Sequence, residues 1–242
     1  MKVLGVIPAR YKSTRLPGKP LRELKGKTLV QRVYENAAKC RLIDDLVVAT
    51  DDDRIVDNVR SFGGIAIMTD PELPSGTDRT ARVAEFRECD IVVNIQGDEP
   101  FLEPHLIDKC IESLIQNEQC KVSTLARTGI TEDELNNKDV VKTLINKNNE
   151  AIYFSRQNIP WVRDGSTMIS NHPALKHIGL YVFRKSFLMK FISIPVSDLE
   201  KLEKLEQLRI IENGYKIYVE TTDKDSLGID TPADLKEAEG ML

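Results

Sequence analysis

Four cations, Arg10, Lys12, Arg15 and Lys19, stand within ten residues in the segment Pro8-Ala9-Arg10-Tyr11-Lys12-Ser13-Thr14-Arg15-Leu16-Pro17-Gly18-Lys19-Pro20. A triphosphate needs such a set: guanidinium forks for bidentate contact, a lysine as a point charge, and backbone N–H groups beside small residues. The same composition also describes a basic loop that only faces water. The segment contains neither GxxxxGK[ST] nor GxGxxG, so it is neither a Walker A loop nor a dinucleotide fingerprint.

A second candidate is Gln96-Gly97-Asp98-Glu99-Pro100, directly after the apolar run IVVNI. Gly97 permits a sharp turn, and Asp98 offers a hard oxygen ligand suited to Mg²⁺ carried in with nucleotide phosphates. The plainer alternative is an acid that caps the next helix, with Glu99-Pro100 shaping the turn. A third is Gly228-Ile229-Asp230-Thr231-Pro232, which by itself reads as an N-cap with proline in the first helical turn. Paired with Asp98 across a sheet edge, Asp230 becomes a second carboxylate for one metal. A fourth, Ser75-Gly76-Thr77-Asp78-Arg79, could recognise a base or phosphate, or could simply open a capped helix.

The three histidines form no catalytic constellation, and His177, in KHIGLY beside Tyr181, reads first as structural. Cys40, Cys89, Cys110 and Cys120 show no CxxC spacing, which predicts reduced thiols and no zinc site. No Ser/His/Asp or Cys/His nucleophile set can be drawn.

These side chains need a frame. The chain has 242 residues, enough for one large domain, and its net charge of −4 leaves no general basic face for nucleic acid. No apolar run approaches the roughly 20 residues of a membrane helix, and MKVLGVIPAR is too short in its apolar part for a signal peptide. A cytoplasmic protein without membrane insertion is expected. Strands are predicted over 2–8, 45–50, 65–68 and 90–96, with helices over about 28–40, 52–62, 77–88 and 104–116. The runs VVAT and IVVNI are continuously apolar, as in parallel strands covered on both faces. Ligands of such sheets bind beyond the carboxyl ends of the strands. The middle reads differently, as strands at 121–127, 140–146, 151–155 and 176–183 with little helix, either an antiparallel extension or a dimerisation arm. A polar loop is expected around 157–175. One charged helix is predicted over about 198–212, capped by Ser197 and Glu200 and ended by Gly214, then a strand KIYVE and a closing helix from about 231. The expectation is one domain, residues 1–242, elaborated over about 121–200.

In order along the chain, IPARYKSTRLPGKPL (7–21), VATD (48–51), SGTDR (75–79), NIQGDEP (94–100), YFSRQNIPW (153–161), KHIGLYVFR (176–184), LEKLEQLR (202–209) and GIDTPADL (228–235) together resemble the 3-deoxy-manno-octulosonate cytidylyltransferase family. The resemblance spans essentially the whole sequence; 162–172 corresponds to a loop that varies within the family. It implies an α/β, Rossmann-like nucleotide-diphospho-sugar transferase fold, mostly parallel with an antiparallel extension, and a homodimer. The implied reaction is CTP plus an acidic octulosonate sugar (Kdo) giving CMP-Kdo and pyrophosphate with Mg²⁺, for lipopolysaccharide biosynthesis.

On that resemblance, Arg10, Ser13, Arg15 and Lys19 hold the triphosphate, with Arg15 and Lys19 also catalytic, and the backbone of Pro8 and Ala9 lies near the cytosine. Ser75 and Arg79 help to bind base and nucleotide, and Asp98 and Asp230 ligate Mg²⁺. Gln96, Arg156, His177, Tyr181, Glu206 and Gln207 line the sugar pocket, with Arg156 facing the carboxylate. The sequence leaves open a related acidic sugar, such as 8-amino-Kdo or sialic acid. A silent nucleotide-binding relative is disfavoured by the presence of Lys19, Asp98 and Asp230 together. A glycosyltransferase of similar fold would carry Asp-x-Asp where this chain has Gly97-Asp98-Glu99.

Overall fold

The computed structural model describes residues 1–12, 16–163 and 172–242; Ser13 and Arg15, and 164–171 of the expected polar loop, lie outside the described residues. The first half alternates strands and helices: β1 (Val3–Ala9), β2 (Glu23–Leu24), β3 (Lys27–Thr28), α1 (Leu29–Ala37), β4 (Asp45–Thr50), α2 (Asp53–Ser61), β5 (Ala66–Met68), α3 (Gly76–Glu85), β6 (Ile91–Asn94) and α4 (Pro104–Gln116). The second half comprises β7 (Val122–Arg127), α5 (Glu132–Asn136), β8 (Lys142–Ile145), β9 (Ala151–Ser155), β10 (Leu175–Arg184), α6 (Lys185–Phe191), α7 (Asp198–Glu203), α8 (Gln207–Glu212), β11 (Ile217–Thr222) and α9 (Pro232–Met241).

The main sheet runs β11-β7-β10-β6-β1-β4-β5, with β8 pairing to β10 and β9 in turn to β8. β1 pairs in parallel with β4 and β6, and β4 with β5, whereas β10 runs antiparallel to β6, β7 and β8. The expected mostly parallel sheet with an antiparallel extension is therefore present. Alternation sorts the strand residues into two cores. Val3, Ile7, Val48 and Val93 face one side, against α1, α2 and α4, while Leu4, Val6, Val47 and Val92 face the other, against α3, α6 and α8. Both faces are covered, which is why these strands are apolar without interruption.

Two readings of the second half need correction. Residues 185–191 form a helix, α6, where none was expected. The single helix predicted over 198–212 is two, because Lys204 takes a left-handed conformation (φ 55°, ψ 44°) that ends α7. A three-residue leucine repeat drifts around a helix of 3.6 residues per turn, so one straight helix would not bury Leu199, Leu202, Leu205 and Leu208 together. The break leaves Leu202 at 80% exposure and turns Leu205 and Leu208 into the core. The Ser197–Glu200 capping box and the positive φ of Gly214 match expectation.

Candidate active site

β1 and β6 end side by side, and the turns that follow them meet. A Cβ at Gly97 would lie 2.8 Å from the Pro8 carbonyl oxygen, so glycine is what allows the two turns to touch. The segment after β1 curls back: the Gly18 N–H donates to the Tyr11 carbonyl at 3.2 Å, and Gly18 at φ 64° opens one 3-10 turn over Lys19–Leu21. That turn delivers Lys19 to the sheet edge. Its Nζ donates to Asp98 Oδ2 at 2.5 Å and to Asp230 Oδ1 at 2.7 Å.

Asp230 arrives from the far end of the chain. The Ile229 N–H donates to the Asp98 carbonyl at 2.9 Å, stitching the two acidic turns together through the main chain. Thr231 caps α9, and Asp234 accepts from the N–H groups of Asp230 and Thr231 at 2.9 and 2.7 Å. The plain capping reading of this motif and its pairing with Asp98 are thus both present, on adjacent residues. Burial pulls the Lys19 ammonium towards neutrality, but the two carboxylates outweigh it and its pKa is raised. Two hard carboxylate oxygens facing one cation are a donor set that fits Mg²⁺.

These groups line a cleft of about 390 Å³ together with Pro8, Ala9, Arg10, Lys12 and Gln96. Arg10 is drawn to the 70–75 segment, where its guanidinium donates to the Leu73 carbonyl. The SGTDR motif opens α3 as a capped helix: Ser75 accepts from the Asp78 N–H and its hydroxyl donates to Asp78 Oδ2. Arg79 departs from its expected role. Its side chain is fully buried, paired with Asp51 at 3.1 Å and donating to Thr69, so it braces the ends of β4 and β5 and does not face the cleft.

A second cavity of about 590 Å³ adjoins the first at Asp230 and is lined by Glu99, His177, Gly179 and Ser226 among others. Thr124 Oγ1 donates to the Leu180 carbonyl at 2.6 Å, so its 2.9 Å contact with His177 Nε2 must be one in which the imidazole donates. Burial lowers the His177 pKa to about 3, which keeps the ring neutral. Its other neighbours are the rings of Phe154 and Tyr181, at 5.0 and 5.4 Å between centroids.

Tyr181, Glu206 and Gln207 share a small apolar-walled space with Phe183 and Phe191. Glu206 accepts from Thr77 Oγ1, which in turn accepts from Asn94 Nδ2 at 3.1 Å, linking the α7–α8 turn to α3 and β6. Burial raises the Glu206 pKa against the opposing hydrogen bond from Thr77. Arg156 stands at the end of β9, with its N–H on Glu203 Oε2 at 2.9 Å and its guanidinium on the carbonyls of Glu203 and Lys138. Lys19, Asp98, Asp230, Arg10 and Gln96 are therefore brought together, His177 lies next door, and Tyr181, Glu206 and Gln207 form a separate cluster behind it.

Sequence reasoning assigned Glu99 to turn formation. In the fold its carboxylate accepts from the Gly179 N–H at 3.2 Å and the Ser226 hydroxyl at 3.0 Å, tying β10 to the loop that carries Asp230. Burial, with Asp98 beside it, pushes its pKa up to about 7. β10 is irregular between Ile178 and Tyr181, and a Cβ on Gly179 would come within 2.9 Å of Gln96 Cγ. Gly179 in KHIGLY is the one sign of this approach in the sequence.

Comparison with known proteins agrees along the whole chain. The family model described as cytidylyltransferase matches residues 4–217. A 3-deoxy-manno-octulosonate cytidylyltransferase of Thermodesulfovibrio yellowstonii is 47% identical, covering 100% of this chain and 98% of its own. One from Protochlamydia amoebophila is 42% identical, covering 100% and 94%. A solved CMP:2-keto-3-deoxy-manno-octonic acid synthetase complexed with CTP superposes with a TM-score of 0.93 at 38% identity, over 100% of this chain and 98% of that one. A putative glucose-1-phosphate thymidylyltransferase from Bacillus anthracis shares the fold at TM-score 0.70 and 14% identity, covering 99% and 94%.

Proposed function

Because this chain belongs to the 3-deoxy-manno-octulosonate cytidylyltransferase family, we propose that it transfers CMP from CTP to the anomeric hydroxyl of Kdo, giving CMP-Kdo and pyrophosphate for lipopolysaccharide synthesis. The observation that carries this reading at the level of residues is the meeting of Lys19, Asp98 and Asp230 at the mouth of a cleft floored by Pro8 and Ala9. A cation-rich segment beside two carboxylates suits a triphosphate with its metal, and little else of this size.

In the reaction the C2 hydroxyl oxygen of the sugar bonds to the α-phosphorus and releases its proton to solvent as the bond to the pyrophosphate oxygen breaks. Such a transfer relies on positioning and charge neutralisation more than on covalent help. Arg10 and Lys19, with Ser13 and Arg15, hold the phosphates, and Lys19 offsets the charge that grows on the leaving pyrophosphate. The main chain at Pro8 and Ala9 and the start of α3 at Ser75 receive the nucleoside. Arg79 acts at one remove, by fixing the 69–75 segment on which Arg10 rests. Asp98 and Asp230 would hold Mg²⁺, which when bound neutralises phosphate charge and acidifies an attached hydroxyl.

Gln96 and His177 line the sugar side, the cluster of Tyr181, Glu206 and Gln207 backs them, and Arg156 takes the sugar carboxylate. The neutral, Nε2-protonated His177 is suited to accepting a hydrogen bond at Nδ1. We expect one catalytic unit over 1–242, with the extension over about 121–200 contributing both sugar contacts and a homodimer interface. Ile152 on β9 and Trp161 beyond it, 54% and 86% exposed, supply apolar surface for that contact. We place the enzyme in the cytoplasm, where CTP is drawn; no described helix is long and apolar enough to cross a membrane.

The test is pyrophosphate release with CTP, Mg²⁺ and Kdo, beside 8-amino-Kdo, sialic acid and a blank without sugar. Release with Kdo is expected. Release only with another acidic sugar would keep the chemistry and move the specificity, and release with none would overturn the reading.

A further inference from the structure

Lys142, the first residue of β8, is fully buried, yet it carries an ammonium into the interior. That ammonium donates to three main-chain carbonyls: Asn137 at 2.8 Å, Val140 at 2.9 Å and Arg156 at 2.6 Å. An ammonium has three N–H donors, so the set is filled. Burying a charge is costly even when it is satisfied, and an apolar side chain of the same length would serve a purely packing role better. Burial accordingly lowers the Lys142 pKa.

The three carbonyls belong to two segments, and both concern Arg156. One is the Arg156 main chain itself, at the end of β9. The other is the 137–140 loop after α5, which includes Lys138, whose carbonyl accepts from Arg156 Nη1 at 3.3 Å. Lys142 therefore fixes the residue and also the loop on which its side chain rests. Glu203 completes the seat: Oε2 accepts from the Arg156 N–H at 2.9 Å, and the Glu203 carbonyl accepts from Nε at 3.0 Å. With Nε and Nη1 engaged, Nη2 is the guanidinium nitrogen without a protein partner among the described residues.

We propose that Lys142 is a positioning residue for sugar recognition: its buried ammonium clamps the Arg156 main chain to the 137–140 loop and so presents Arg156 Nη2 to the substrate carboxylate. The inference rests on the reading above that Arg156 takes that carboxylate.

Lys142→Met removes all three hydrogen bonds while keeping the length of the side chain. We expect the KM for Kdo to rise roughly tenfold while the KM for CTP stays within about twofold, as for a misplaced contact and not a general loss of structure. A double-mutant cycle with Arg156→Ala isolates the route. Once Arg156 is absent, Lys142→Met should change kcat/KM for Kdo by no more than about twofold. Independent, multiplicative losses would overturn the proposal, as would an equal rise in both KM values, an unchanged KM for Kdo, or an Arg156→Ala variant with normal Kdo kinetics. If Lys142→Met does not fold, Lys142→Gln, which keeps two donors, is read by the same criteria. Wild-type enzyme that turns over no Kdo would refute the functional reading itself, a result distinct from any outcome of the cycle.

Discussion

Asp98 and Asp230 close on the same ammonium, Lys19 Nζ, at 2.5 and 2.7 Å. The lysine stands where a divalent cation would compete for the same two oxygens. Its elevated pKa keeps it charged near neutrality, so protein and metal offer rival positive charges to one pair of carboxylates.

Lys19→Met should therefore strengthen metal binding while it weakens catalysis. Without nucleotide, Mn²⁺ used as a probe is expected to bind the variant at least about tenfold more tightly than wild type, since the Lys19 ammonium no longer competes for the two carboxylates. Paramagnetic resonance of free Mn²⁺ measures this directly. Equal or weaker binding would argue that the carboxylates do not form a metal site.

Asp98→Asn and Asp230→Asn keep the shape of each side chain and remove its charge. Pyrophosphate release should fall by a factor on the order of 10² or more in each, with Tm shifted by only a few degrees. Near-wild-type rates in either variant would sink the two-aspartate arrangement.

The acid side of the stability profile should depend on Glu134. Burial works to raise its pKa, but the Thr131 N–H, Arg127 and Lys176 prevail and hold it down to about 2, against an ordinary value of 4.5. The folded state thus favours the ionised form, and the stabilisation is complete above the ordinary value and drains away as pH falls towards 2. Its size is at most about 3 kcal/mol. Glu134→Gln should flatten the loss of Tm between about pH 5 and pH 3. A variant that follows the wild-type slope would show that the pairing with Arg127 and Lys176 contributes nothing there.

Gly97→Ala tests the contact between the turns after β1 and β6. The new methyl carbon would lie 2.8 Å from the Pro8 carbonyl oxygen, and main chain cannot swing aside as a side chain can. A cost of about 1–3 kcal/mol is expected, together with a KM for CTP raised more than the KM for Kdo. Denaturation and steady-state kinetics give the two parts, and a variant unaltered in both would contradict the contact.

Much of this site was legible because its chemistry is local to strand ends. The runs VVAT and IVVNI are apolar on both faces, which announces a covered parallel sheet, and Asp98 follows one of them within a few residues. Arg79 and Lys142 were not legible. A cation in a sequence looks the same whether it points at a ligand, as Arg79 was expected to, or is enclosed with Asp51 and Thr69. The helix break at Lys204 was hidden for a related reason: every residue of LEKLEQLR favours helix, and tertiary burial of Leu205 and Leu208 overrides that preference. Glu99 was masked by its neighbour, since a carboxylate beside Asp98 acquires its partners, Gly179 and Ser226, only when distant segments arrive.

The order in which the chain leaves the ribosome bears on the union of Lys19, Asp98 and Asp230. β1, β4, β5 and β6 can pair from the first hundred or so residues, and β7 and β10 follow, yet the second carboxylate emerges only after the edge strand β11. A nascent or prematurely terminated polypeptide can thus carry a nearly finished sheet and the cations proposed to hold the phosphates while lacking half of its acidic pair. On the two-aspartate arrangement proposed above, catalytic competence is gained in one late step of synthesis, and fragments ending before Gly228 should be inert however well their sheet has formed.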